Sequence, residues 1–172
     1  MTIEKLNTKE LFASLDRAFS ELLAMIDALR EPVLNTIPFT DSWTAAQLAA
    51  HVTKSNISIA QALDMEAKKT ERNADERALE LKEIFLDFTI KFQSPEFIRP
   101  AQGMYEKEKL IARLKKSIEQ LKEQRNNVNL SEILSLPAFG EITKLELLYF
   151  VLYHTQRHTH QLKNIIWVIN RK

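Results

Sequence analysis

Three of the chain's four histidines fall within HTQRHTH, residues 154–160, inside the otherwise apolar run ELLYFVLYHTQRHTHQLKNIIWVI. The fourth, His51, sits far upstream in SWTAAQLAAHVTKS, again within an apolar helical pattern. Imidazole packs less well than Leu or Ile in such places, but its neutral ring nitrogens can hold a metal ion or carry a proton. On a helix advancing about 100° per residue from Leu147, His154 falls near −20° and His158 near 20°, with Val151 and Ile165 on the same stripe. The pair therefore stands at the i, i+4 spacing that lets two imidazoles meet one ion. His160 falls near −140° on the same projection, on the other side of the helix, and is left out of the site. H-x-x-x-H alone is a weak motif, and without the glutamate of H-E-x-x-H it does not indicate a metalloprotease helix.

The face of His51 on its own helix also carries Leu48, Ser55, Ser58, Ile59 and Ala62, so it too is expected to look into the core. Small residues there leave room for water or substrate, or simply allow two helices to approach closely. Three imidazoles from two helices fit a divalent ion with open positions for water or substrate. The competing account is that each is a buried histidine satisfied by backbone or hydroxyl groups. Neutral imidazole suits Zn, Ni, Cu or Fe; Zn or Ni is the expectation, with Fe, Mn and Cu as the other candidates. The chain has no cysteine, which excludes disulfides, thiolate ligands and a cysteine nucleophile.

The elements that would position these residues are helices. Helix-start boxes recur: Asn7 with Glu10, Thr44 with Gln47, Thr143 with Glu146, each flanked by a pair of apolar staple residues (Leu6–Leu11, Trp43–Leu48, Ile142–Leu147). Trp43 is read as the staple rather than as part of the site. Asn73 and Glu76 suggest a fourth box opening a shorter segment through ERALELKEIFLDF. The long helices are expected over 8–30, 45–68, 106–126 and 144–169. QSPEFIRPAQG reads as a loop because it holds two prolines and a glycine, and LSLPAFG reads as another. The expected fold is all-α: a single domain, residues 1–172, built as a four-helix bundle with a short extra helical segment between the second and third helices. The long connection there argues against a plain up-down-up-down chain. QSPEFIRPAQGMY and NTIPFTDSW are the loops expected to shape a pocket. Apolar groups surround the start of the last helix, with Tyr153 and Trp167 away from the core stripe. Burial under the irregular segments and a homodimer both answer that pattern.

Apolar residues make up 45% and charged residues 27%, with a net charge of +1, so no nucleic-acid or membrane partner is expected. The start, MTIEKLNTKELF, does not read as a secretory signal, and LLYFVLY is far short of the ~20 apolar residues that span a bilayer. A soluble, cytoplasmic protein is the expectation.

WTAAQLAAH followed about a hundred residues later by HTQRHTHQ resembles the DinB-like (DinB/YfiT) superfamily. The resemblance implies a four-helix bundle, frequent dimers and a three-histidine metal site: one histidine on the second helix and two in H-x-x-x-H-x-x-Q on the last. Residue by residue it maps onto His51, His154 and His158, with Gln161 at the trailing position. Better-understood relatives are thiol-dependent S-transferases and an isomerase, and others are called metal-dependent hydrolases. It therefore implies a metal-dependent enzyme acting on a small molecule, with a low-molecular-weight thiol as cosubstrate or with water. A non-catalytic dimeric metal-binding protein of stress or regulatory role, and a bundle whose histidines are purely structural, stand as alternatives. No acidic general base is identifiable beside the histidines.

Overall fold

The computed structural model describes residues 8–172. The expected cap Asn7 and its staple partner Leu6 lie outside the described residues. Four long helices form the bundle: α1 (Thr8–Asp27), α3 (Ala45–Asp64), α5 (Lys107–Asn127) and α6 (Lys144–Ile169). Each is amphipathic for a visible reason. In α1 the buried set is Leu11, Leu15, Ala18, Phe19, Leu22 and Ile26, a three-to-four-residue spacing. In α5 it is Leu110, Ile111, Leu114, Ser117, Ile118 and Leu121, with the charged residues outward. Leu15, Leu22, Leu114 and Leu147 are essentially inaccessible, and each such side chain contributes roughly 1.5–3 kcal/mol when removed from water.

The packing order differs from the chain order. Both α1 and α3 pack chiefly against α5 and α6, so around the bundle the helices run α1–α5–α3–α6. The connections from α1 to α3 and from α5 to α6 therefore cross the bundle diagonally, whereas α3 and α5, successive in the chain, pack side by side.

Two of the expected boxes are made in full. Thr44 Oγ1 accepts from Gln47 N at 3.1 Å while Gln47 Oε1 accepts from Thr44 N at 3.0 Å. Thr143 and Glu146 repeat the exchange at 3.0 and 2.9 Å. The fourth box is not made. The extra helix, α4, spans Ala78–Leu86, and its N-cap residue Arg77 has no side-chain cap. The Arg77 amide instead donates to Glu146 Oε1 at 2.8 Å, so a carboxylate from α6 does the capping that Asn73 was expected to do.

Two other departures share one cause, pairing of extended backbone. LSLPAFG is not a loop but the heart of a hairpin, β1 (Ile133–Leu136) with β2 (Gly140–Thr143), in antiparallel register Leu136↔Gly140. The Phe139 amide closes the turn on the Leu136 carbonyl at 3.1 Å, with Pro137 preset for its position and Gly140 supplying φ +68°. An added Cβ at Gly140 would meet nothing within 4 Å. A Gly140→Ala change should therefore destabilise by about 1–2 kcal/mol through backbone conformation alone, measurable by denaturant titration. Upstream, α3 stops at Asp64 rather than Lys68 because the Lys68 amide and carbonyl pair with Ile133 at 3.0 and 2.8 Å. Separately, α1 ends at Asp27 rather than Arg30, and the connection after it contains a one-turn helix, α2 (Glu31–Leu34), opened by Pro32.

Helix α4 lies on α6. Phe85 from α4 and Phe139 from the hairpin both stand edge-on to Phe150, at 5.0 and 4.8 Å between centroids. These contacts cover much of the apolar surface that surrounds the start of α6. Trp167 stays 56% exposed, with the Arg171 guanidinium 3.9 Å above its ring. Among the described residues no helix is long and apolar enough to cross a membrane.

Candidate metal centre

The packing of α3 against α6 brings the three imidazoles together. His51 lies one turn and a half into α3, and His154 and His158 lie in the middle of α6. Ring centroids are 5.1 Å apart for His51–His154, 4.7 Å for His51–His158 and 4.4 Å for His154–His158. Nε2 of His154 is 3.1 Å from Nε2 of His51 and 3.1 Å from Nε2 of His158. Ligand atoms of all three lie within 4.8 Å of one another, and no carboxylate belongs to the cluster. All three side chains are buried. His160 takes no part. It is exposed, with Phe88 stacked on its ring at 3.9 Å.

For two of the three, His51 and His158, the opposite ring nitrogen explains why Nε2 points inward. His51 Nδ1 is 2.9 Å from the Ile98 carbonyl oxygen, with Ser94 Oγ at 3.3 Å. A carbonyl only accepts, so this nitrogen carries the hydrogen and Nε2 presents a lone pair. His158 Nδ1 donates to Gln161 Oε1 at 2.9 Å, which fixes the same tautomer. His154 can give at most one proton, so one of its two 3.1 Å contacts would oppose lone pair to lone pair. Protonation does not relieve this. Burial holds His51 below its ordinary value and His154 well below it, and pushes His158 down to about 3, helped by the neighbouring imidazoles. A divalent cation answers all three lone pairs at once. Two nitrogens at ~2.0–2.1 Å from one tetrahedral ion lie about 3.3 Å apart, close to the 3.1 Å of both His154 contacts, and all three ligand atoms lie within 4.8 Å of one another. The residues fit the ion.

The surroundings are aromatic. The Trp43 ring lies 4.8 Å from that of His51, Phe150 stacks on His154 at 5.0 Å, and Phe85 stands edge-on to His154 at 6.4 Å. Trp43, expected only as a staple, thus touches the cluster as well. Both candidate loops reach the site: residues 35–43 end on Trp43, and residues 93–105 supply Ser94 and Ile98. Ser55 and Ala62 are buried on a helix packed between two others, where small side chains allow close approach. Sequence reasoning missed Ser94, whose hydroxyl reads like any other in a loop, and the Ile98 carbonyl, because a backbone acceptor has no residue-type signature. Phe85 and Phe150 were equally silent, being indistinguishable from core.

Gln161 is exposed enough to change without disturbing the core, and its amide oxygen is what orients His158. Gln161→Leu should weaken divalent-metal affinity by about 10–100-fold with little change in fold, as removal of an outer partner of a ligating histidine does. Competition with a chromophoric chelator measures this, and an unchanged affinity would mean that the amide does not orient the ring.

Comparison with known proteins identifies the family and the fold. The sequence profile of the DinB superfamily matches residues 14–162. No curated protein matches the chain. Among solved structures, the chain is similar to TT2238, described as a four-helix bundle protein, with TM-score 0.61 and 19% identity over 92% of this chain and 99% of that one. It is also similar to YfiT from Bacillus subtilis, described as a probable metal-dependent hydrolase with an unusual four-helix bundle topology. That match has TM-score 0.62 and 15% identity over 98% of this chain and 91% of that one.

Proposed function

This chain belongs to the DinB superfamily, and from that premise we propose that it is a metal-dependent enzyme whose His51, His154 and His158 hold one divalent ion, zinc or nickel. The observation that carries the proposal is the convergence of three buried Nε2 atoms, two of them held as lone-pair donors by Ile98 and Gln161. An ion held there supplies Lewis acidity that favours the deprotonated form of a thiol or of water near neutral pH.

The chain's own residues define what such a site can do. Three neutral ligands and no carboxylate leave the ion's charge uncompensated, which favours an anionic fourth ligand. The chain has no cysteine, so a sulfur nucleophile has to come from a cosubstrate. Trp43, Phe85 and Phe150 give the surroundings an apolar, low-dielectric character that excludes water. We therefore favour S-transfer, in which a low-molecular-weight thiolate attacks an electrophilic carbon, the leaving group departs with the bond pair, and the thiol proton passes to solvent. A second reading, hydrolysis, is supported by the description of YfiT. For assembly we propose a homodimer through the outward side of α6, where Trp167 is left open to solvent.

The test is an assay of zinc- or nickel-loaded protein with a panel of small thiols and monobromobimane, beside a panel of esters and amides. Metal-dependent thiol conjugation that disappears in His154→Ala is the expected result. Hydrolysis in its place selects the second reading. Inactivity towards every thiol, ester and amide in a fully loaded protein would leave a metal-binding protein without turnover.

A further inference from the structure

The three imidazoles are only 3%, 6% and 7% exposed, too covered for a thiol or an ester to reach the cluster. What covers them on the His51 side is the connection between α4 and α5, where Ser94 and Ile98 meet His51 Nδ1. Further back along the same connection, Phe92 stacks on Phe85 at 5.4 Å, and Phe85 stands against His154.

This segment is attached in an unusual way. Phe88, Ile90, Phe92 and Phe97 are all between 38% and 65% exposed, so little apolar area anchors it and lifting it exposes little more. Ile98 is its buried plug. Its polar fastenings come from three residues: His51 at Ser94 and Ile98, Lys54 at the Arg99 carbonyl at 2.7 Å, and Arg157, which fastens the half nearer α4. Arg157 donates through Nη1 to the Phe85 and Asp87 carbonyls at 3.2 and 3.0 Å and through Nη2 to the Ile90 carbonyl. The same guanidinium lies 4.7 Å over the Phe92 ring. A planar fork can serve several carbonyls and an aromatic face together, which a lysine cannot. Arg157 belongs to α6, between the two histidines of that helix. One side chain therefore ties the covering segment to the element that carries His154 and His158.

We propose that the connection from Asp87 to Arg99 is a hinged cover over the imidazole cluster, and that Arg157 is the positioning residue that holds it closed. The cover opens by releasing the Arg157 carbonyl bonds and withdrawing Ile98, which bares the cluster to an incoming molecule. It closes by remaking them, which restores the carbonyl that orients His51. Entry to the site and the alignment of one of its three imidazoles are thereby coupled. The proposal rests on the metal-centre reading only for what the cover admits.

Carbethoxylation of histidine by diethylpyrocarbonate, followed residue by residue by peptide mass spectrometry on metal-free protein, tests it. In the wild-type chain His160 should react quickly and His51, His154 and His158 slowly. In Arg157→Met and in Phe92→Ala the three buried histidines should react about tenfold faster, with the helical content retained. Arg125→Met is the control for general loosening, since Arg125 pairs with Asp16 at 2.9 and 3.2 Å between α5 and α1, two helices that carry none of the three imidazoles. It should leave the three rates unchanged. Should Arg157→Met fail to fold, Phe92→Ala decides. Buried-histidine rates equal to wild type in the deciding variant, or an equal acceleration in Arg125→Met, would overturn the proposal. Because no metal is involved in the readout, a failure here and a failure to bind metal are separate results.

Discussion

Protein purified without a metal-affinity tag and loaded with zinc or nickel should carry close to one ion per chain, and His154→Ala should carry less than about a tenth of that. His154 is the middle of the cluster, since its Nε2 is 3.1 Å from each of the other two and no carboxylate can take its place. Structural zinc sites with four ligands bind with ~10–16 kcal/mol, so one ligand is worth roughly 3 kcal/mol, more than a hundredfold in affinity. The two imidazoles left behind do not hold an ion through gel filtration at that deficit. His160→Ala in the same experiment should keep its full metal content, because that ring stacks on Phe88 on the exposed side of α6. Elemental analysis of the three proteins gives the answer. Loss of metal in His160→Ala, or its retention in His154→Ala, would place the ion elsewhere.

The largest effect on stability is expected at Glu146. Its side chain is fully buried, and it accepts from the Arg72 guanidinium at 2.6 and 2.8 Å, from the Arg77 amide at 2.8 Å and from the Thr143 amide at 2.9 Å. One carboxylate thus caps α6, substitutes for the missing cap of α4 and fixes the segment between α3 and α4. Thr143 adds to this by donating its hydroxyl to the Ala74 carbonyl. Glu146→Gln keeps the shape but turns one acceptor into a donor facing other donors. Breaking a buried pair this way costs 3–5 kcal/mol, and about 3 is expected here because Arg72 is 21% exposed and water can partly replace its partner. For a chain of this length that lowers the melting temperature by about 6–12 °C.

The pH dependence has a definite sign. Burial by itself would raise the Glu146 pKa, but the donors from Arg72, Thr143 and Arg77 outweigh it and hold the carboxyl below its ordinary value of 4.5. A depressed folded-state pKa means that the contribution is complete above about pH 4.5 and is lost as pH falls through the folded value. The gap between wild type and Glu146→Gln should therefore be full at neutral pH and shrink in acid. A gap that widened on acidification would show that the carboxylate is not the stabilising form.

The four long helices were legible because each announces itself by the spacing of its apolar face, and α3 and α6 do so a second time by a reciprocal cap of Thr with Gln or Glu. The histidines were legible for the same reason: on a helix, sequence spacing is direction. What was not legible depends on contacts between distant backbones. The hairpin at 133–143 has strands of four residues, too short for an alternating pattern to stand out, and Pro137 and Gly140 read as loop until their partners are known. The cap of α4 comes from Glu146, whose place in its own box was clear but whose second and third duties, to Arg77 and Arg72, join residues about seventy positions apart. The packing order α1–α5–α3–α6 is likewise invisible to periodicity, which says that a face is buried but not against which helix. In the site itself the side chains with a characteristic chemistry were found, whereas the Ile98 carbonyl that orients His51 was not.

The central claim is that the imidazoles of His51, His154 and His158 grip one ion together. X-ray absorption at the metal edge of the zinc- or nickel-loaded protein tests it most directly. Three nitrogen scatterers at ~2.0–2.1 Å, with the outer-ring scattering of imidazole, are predicted for the wild-type chain. A shell of oxygen alone, or one imidazole at most, would contradict the account.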